Sequence, residues 1–258
     1  MHLSLKDRVA LVTGGARGIG AATVRLFAGS GARVVIGYET AKNKADSLAK
    51  EIGEGRAVAI GGDLGRLDGG RDLVAKSIDA FGRLDVLVVN HGIWPPEDVG
   101  IDAMDEARWR RTLAVNLESV FSLVKYAVAQ MKKQELVDGA RGHVVLVAST
   151  AAQRGEAFHV DYAASKGALV SMTKGLATEL ARDRIYVNCV APGWVDTEMA
   201  APALTGDADR AKVFGTIPLG RVATPEEIAA PILFLCTPHA GFITGEVLNV
   251  NGGAVLVG

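Results

Sequence analysis

The chain has 258 residues, 49% of them hydrophobic, with a mean hydropathy of +0.22. That suffices for one large α/β core, read as a single domain over residues 1–258. A formal net charge of −1 leaves no basic field for nucleic acid and no charge run for a membrane surface. The start, Met1-His-Leu-Ser-Leu-Lys-Asp-Arg8, lacks the apolar core of a signal peptide, and no run reaches the ~18 apolar residues that cross a bilayer. Cys189 and Cys236 sit in apolar contexts. They are expected to be two buried thiols in a reducing cytoplasm rather than a disulfide.

Arg8 to Thr13 is a short apolar run, read as a buried parallel strand. Gly14-Gly-Ala-Arg-Gly-Ile-Gly20 follows, and then Ala21 to Ala28 at helical spacing. Glycines between a strand and a helix let backbone amides approach a phosphate at the helix's positive end. The spacing, Gly14-x3-Gly18-x-Gly20, is not the commoner G-x-G-x-x-G, and some glycine-rich turns only pack. Further strands are predicted at 32–37, 56–60, 84–89, 142–148, 185–191 and 246–250. Helices are predicted at 42–52, 72–81, 105–133, 162–181 and 225–236, the last with Thr224 as N-cap. Thr197 to Pro218 is polar and poorly periodic. Alternating strands and helices predict a doubly wound parallel sheet of about seven strands, the Rossmann fold, with the order reversing beside strand one. The strand exits at 13–20, 61–64, 90–93, 149 and 191–197 then converge on one rim, where ligands of such sheets bind.

Tyr162 and Lys166 are four apart, on one face of a predicted helix. An ammonium a few Å away is expected to lower the phenol from its usual value near ~10. A phenol tuned toward the working pH donates and accepts protons. Ser149 ends the apolar run Val144–Ala148, so its hydroxyl is expected at the strand's carboxyl edge. Taken alone, a Tyr/Lys pair is a solvated helix face and Ser149 a strand-end turn residue. Their company with the glycine-rich turn favours chemistry.

As a set, Thr13-Gly-x3-Gly-Ile-Gly20, Asp63-Leu64, Asn90-x-Gly92, Asn116, Ser149, Tyr162-x3-Lys166 and Pro192-Gly193 resemble the short-chain dehydrogenase/reductase family over about Leu5 to Gly253. The resemblance implies a catalytic tetrad of Asn116, Ser149, Tyr162 and Lys166. Tyr162 passes a proton to or from the substrate oxygen, and Ser149 orients the carbonyl. Lys166 lowers the Tyr pKa and holds the nicotinamide ribose. Asn116 kinks its helix around a water on the proton path. The resemblance also implies cofactor contacts from Gly14, Arg17, Gly18, Ile19, Gly20, Tyr38, Asp63, Leu64, Asn90, Gly92, Tyr162, Lys166, Pro192, Gly193, Val195 and Thr197. No metal is invoked. Asp63 is expected at the adenine and Thr197 at the carboxamide.

The family's usual Asn-Asn-Ala-Gly turn reads Val89-Asn-His-Gly92 here, and His91 is expected to pack. Residues 135–141 lengthen the connection into strand five as a surface loop. Users of NAD in this family end strand two with Asp, where this chain has Tyr38. Arg17 resembles the basic residue that NADP users place against the 2′-phosphate, with Lys42 and Lys44 as helpers and Glu39 opposing. NADP(H) is therefore expected to be preferred, with NAD(H) the alternative. The pocket is expected to be bordered by His91, Trp94, Gln153, Arg154, Phe158, His159, Trp194 and a mobile substrate loop at about 195–218. Trp94 and Trp194 read equally as packing, and Arg154 as solvated. The implied function is hydride transfer between NADP(H) and a ketone or secondary alcohol. A medium-sized ketone is the expected substrate, with a 3-oxoacyl-thioester-specific reductase as an alternative. A non-catalytic dinucleotide-binding regulator and a different doubly wound enzyme are the competing readings. The resemblance further implies a homotetramer, with a dimer as the alternative, and a cytoplasmic location is expected from the two thiols.

Overall fold

The computed structural model describes residues 3–257. Its parallel sheet holds seven strands: β1 Val9–Thr13, β2 Arg33–Tyr38, β3 Ala57–Gly61, β4 Val86–Val89, β5 Gly142–Val147, β6 Ile185–Pro192 and β7 Val247–Val250. The order is β3-β2-β1-β4-β5-β6-β7, so β1 lies between β2 and β4 and the order reverses there, as predicted. The helices are α1 Gly18–Gly29, α2 Lys42–Ile52, α3 Leu67–Phe81, α4 Glu106–Leu113, α5 Ser119–Met131, α6 Ala151–Arg154, α7 Val160–Leu180, α8 Asp207–Gly215 and α9 Pro225–Leu235.

The sheet is covered on both faces. In β1, Ala10 and Val12 join one core with Phe27 of α1 and Ile232 of α9. Leu11 joins the other with Leu73 of α3, Leu123 of α5 and Leu169 of α7. Strands β1, β4 and β5 are buried along their whole length, which is why they read as unbroken apolar runs.

The structure departs from the predicted elements in four places. Helix α3 starts five residues before Asp72. Gly69 and Gly70 broke the helical pattern, yet Gly70 lets α3 close on α5: a Cβ there would fall 2.7 Å from Ser122 Oγ. The long helix at 105–133 is divided by a π-helical turn at Ala114–Glu118, which carries Asn116. The segment at 197–218 contains a 3-10 turn, Ala201–Leu204, and α8. Helix α8 buries none of its residues, so it lacks the apolar stripe by which a helix is read. The short α6 was not predicted.

The stretch Glu106–Met131 is long and apolar enough to cross a membrane, but half of its most apolar part is buried within the fold. It packs on α3 and α7. The predicted loop at 135–141 is closed by a Val137–Ala140 bridge and held by Arg8, whose Nη2 donates to Val137 O at 2.8 Å. Thr224 caps α9 as predicted, in a reciprocal pair with Glu227.

Candidate active site

The strand exits converge on a cleft of about 540 Å³ along the carboxyl rim of the sheet. One wall is the turn between β1 and α1. Gly18 has φ +50°, and a Cβ there would lie 3.0 Å from Thr197 Cγ2. A Cβ on Gly20 would fall 2.1 Å from Gly14 O, so only glycine lets the turn close. The first turn of α1 has no side-chain cap and no acidic residue. Its amides are therefore available to an anion, with the helix dipole adding to the attraction. Asn90 ties the exit of β4 to this turn, its Nδ2 donating to Thr13 O at 3.2 Å and Gly14 O at 3.3 Å.

Helix α7 supplies the other wall. Lys166 Nζ lies 5.9 Å from the Tyr162 ring centroid and donates to Val147 O at 2.8 Å. Lys166 is 4% exposed, and burial pushes its ammonium down to about 8. The phenol goes the other way from the expectation: burial pushes Tyr162 up to about 12, while a hydrogen bond with Ser149 acts to lower it. Desolvation of the phenolate outweighs any help from the neighbouring ammonium. The start of α7 is pinned by Asp161, which accepts from Thr112 Oγ1 at 2.8 Å and Arg108 Nε at 3.2 Å. Burial alone would push that carboxyl up; the bonds from Arg108 and Thr112 hold it below the usual range. Ser149 Oγ accepts from Ala151 N at 3.1 Å.

Of the anticipated cofactor and tetrad residues, Gly14, Arg17, Gly18, Ile19, Tyr38, Leu64, Asn90, Gly92, Ser149, Tyr162, Lys166, Pro192, Gly193, Val195 and Thr197 line the cleft. Gly20, Asp63 and Asn116 do not. Gly20 packs within its turn. Asp63 is exposed and turns its Oδ1 to Gly65 N, at 2.8 Å. Asn116 is fully buried behind the wall: Oδ1 accepts from Ile93 N at 2.8 Å, and Nδ2 donates to Ile93 O at 2.9 Å. Three expected pocket residues also fall outside the lining. Gln153 donates to Asn249 Oδ1, Phe158 points to solvent, and His159 stacks behind Trp94 at 4.8 Å between ring centroids. Trp94 does line the cleft, meets Trp194 edge-on at 6.3 Å, and donates from Nε1 to Glu156 Oε1 at 3.2 Å. His91 both packs and lines the cleft.

Sequence reasoning missed Glu198. It stands beside Thr197 and pairs with both Arg17, at 3.2 Å, and Lys44. The hydrogen bond from Lys44, then that from Arg17, holds its carboxyl below the usual range. Its only signal was its position after Thr197.

A family model described as enoyl-(acyl carrier protein) reductase matches residues 14–255. The 3-oxoacyl-(acyl-carrier-protein) reductase of Thermotoga maritima is 38% identical, covering 98% of this chain and 100% of that protein. The chain belongs to the short-chain dehydrogenase/reductase family. The cis-4-hydroxycyclohexanecarboxylate dehydrogenase of Sinomonas cyclohexanicum is likewise 38% identical, over 100% of both chains. Among solved structures, a 3-ketoacyl-(acyl-carrier-protein) reductase from Brucella melitensis complexed with NADH superposes with a TM-score of 0.88. It is 34% identical, over 98% of this chain and 100% of that one. A putative NAD(P)-dependent gluconate 5-dehydrogenase from Beutenbergia cavernae with bound NADP also gives 0.88, at 36% identity over 98% and 99%. As a member of this family the chain is an oxidoreductase that moves a hydride between a nicotinamide cofactor and a CH–OH/C=O substrate. The uncapped start of α1 and the glycine turn fit the pyrophosphate of such a cofactor.

Proposed function

We propose that this protein is an NADP(H)-preferring carbonyl reductase or secondary-alcohol dehydrogenase in which Tyr162 is the proton donor and acceptor. The observation that carries this reading is the meeting of Tyr162, Lys166 and Ser149 in the cleft that the glycine turn opens. A bound nicotinamide supplies or receives the hydride. Tyr162, pushed up to about 12, stays a protonated phenol at neutral pH and is ready to neutralise an oxygen that gains charge. Ser149 holds that oxygen against the phenol. Lys166, buried one turn away, stabilises the phenolate left behind and holds the ribose. Asn116 marks the bend in its helix and braces the turn at Ile93 beside Lys166.

The cofactor preference rests on three features. No acidic residue ends β2, where Tyr38 stands. Arg17 of the glycine-rich turn and Lys44 converge on Glu198, which gathers two cations where a 2′-phosphate would need them. Glu39, the residue that argued against a 2′-phosphate, is matched by Arg111 at 3.6 Å. Paired kinetics with NADPH and NADH test the preference; equal or better kcat/KM with NADH removes it.

For the substrate, the cleft that holds Tyr162 is lined in part by Ile93, Trp94, Pro96, Trp194 and Met199. Arg154, which also lines the cleft, has no acceptor among the described residues. These features suit a compact, medium-sized ketone, including one with a remote carboxylate. The name of the Sinomonas relative, a cyclic hydroxycarboxylate dehydrogenase, points the same way. A panel of ketones and alcohols, followed by nicotinamide absorbance, decides it. The segment at 195–218 serves as the substrate loop. We read the assembly as a homotetramer, because Phe121 on α5 and Phe242, Leu256 and Leu219 near the carboxyl terminus leave large apolar side chains uncovered. Light scattering at the mass of one chain ends that reading. Two free, buried cysteines suit the cytoplasm.

A further inference from the structure

The π-turn leaves one carbonyl without its helical partner. The Ser119 N–H bonds Ala114 O, five residues back, rather than Val115 O, four back. Val115 O accepts instead from the Ser119 hydroxyl at 2.5 Å and faces His91 Nε2 at 3.1 Å. His91 Nε2 also lies 2.7 Å from Ser119 Oγ, while Nδ1 lies 2.8 Å from Thr13 Oγ1.

These partners assign the tautomer. A carbonyl only accepts, and Ser119 gives its own proton to that carbonyl, so Nε2 must carry the ring hydrogen. Nδ1 is then the nearer acceptor for the Thr13 hydroxyl, at 2.8 Å against 3.3 Å to Val88 O. Thr13 Oγ1 in turn accepts the amides of Asn90, at 3.1 Å, and His91, at 3.3 Å. Burial, and after it the charge of Lys166, pushes the ring down to about 3, so it stays neutral at working pH.

We infer that His91 is a positioning residue: one neutral imidazole clamps the π-turn, and with it Asn116, to the exits of β1 and β4. Asn116 follows Val115 directly and grips the backbone of Ile93, two residues past His91. The clamp therefore holds one short turn from both sides. Gly92 is flanked by both Asn116 and Lys166: a Cβ there would be 3.2 Å from Asn116 Oδ1 and 3.3 Å from Lys166 Nζ. A shift of the π-turn therefore disturbs Asn116 where it packs beside Gly92, which Lys166 Nζ also flanks. An alanine at position 91 would offer neither a donor for Val115 O nor an acceptor for Thr13. The inference rests on the roles proposed above for Asn116 and Lys166.

The test compares kcat for ketone reduction in the wild type, His91→Ala, His91→Gln, Asn116→Ala and the double variant His91→Ala/Asn116→Ala. Cofactor affinity is read by nicotinamide fluorescence. His91→Ala should lower kcat on the order of 10- to 100-fold while cofactor affinity holds. His91→Gln, whose amide nitrogen stands in for Nε2–H, should recover most of the loss. With Asn116 already replaced by Ala, removing His91 should cost almost nothing further. An unchanged kcat in His91→Ala, a glutamine variant as slow as the alanine one, or an undiminished effect in the Asn116→Ala background overturns the clamp. Nitrogen-15 NMR of histidine-labelled wild type reads the ring without relying on variants or turnover. His91 and His143 should both stay untitrated from roughly pH 5 to 9, and the ring assigned to His91 through its backbone should be the Nε2–H form; an Nδ1–H form of that ring, or its titration within that range, overturns the proposal. If the wild type reduces no ketone, the reading of the site fails, and the NMR result still decides the clamp.

Discussion

At the carboxyl end of the sheet, Lys166 and Tyr162 border a cleft. At the amino end, Arg8 and His143, 1% and 2% exposed, meet only packed side chains and the 135–141 loop. Both ends perturb their titratable groups. His143, at the amino end, is pushed down to about 3 by burial and then by Arg8, as far as His91 at the other end. Burial also raises Cys236 beside them. Arg8 Nε and Nη1 find no acceptor among the described residues. A displaced pKa therefore does not distinguish the two ends. What does is an opening onto solvent, flanked by an uncapped helix start and by polar groups that converge on one point.

Matched substitutions at the two ends sharpen this contrast. Tyr162→Phe should remove most turnover, on the order of 10²- to 10⁴-fold in kcat, while nicotinamide fluorescence still reports cofactor binding. Near-normal kcat would take Tyr162 out of the proton step. Lys166→Met should lose turnover nearly as far while holding or raising Tm, because a buried ammonium is replaced by an apolar chain of similar volume. Arg17→Ala should lower kcat/KM for NADPH by roughly tenfold or more, the worth of a charged hydrogen bond, and leave NADH unaffected.

Acid should expose both buried rings together. His91 and His143 sit at about 3 in the fold, below their ordinary 6.5. The unfolded chain thus binds more protons between those values, and stability falls as pH drops through that window, on the order of 1 kcal/mol per pH unit for each ring. Denaturant midpoints measured across it should show the fall, and His143→Phe should flatten it without touching kcat. Smallest of all, Arg8→Met should leave kcat unchanged and Tm equal or higher; a loss of turnover there would erase the contrast between the two ends.

Much of this was legible in the chain. Buried parallel strands need apolar side chains on both faces, so β1, β4 and β5 announced themselves as unbroken runs. Each strand exit then carried its polar or glycine-rich residues to a predictable rim, and Tyr162 and Lys166 fell one helical turn apart as their spacing required. Other features stayed hidden. The π-turn at Asn116 is one extra residue in a helix whose pattern is otherwise unbroken. Helix α8 buries nothing and so has no stripe. Glu198 meets Arg17 and Lys44 from more than 150 residues away, as no local pattern records.

The order of residues by itself determined which segments are strands, where the glycine turn falls, and which side chains share a helix face, because these follow from near neighbours and from periods of 2 and 3.6. Only the tertiary structure decided how far each group is withdrawn from water and what surrounds it. That withdrawal drives the Tyr162 phenol upward instead of downward and makes His91 a neutral link between segments that lie far apart in the chain. Desolvation and long-range hydrogen bonds depend on atoms contributed by the whole fold, and no stretch of sequence holds them alone.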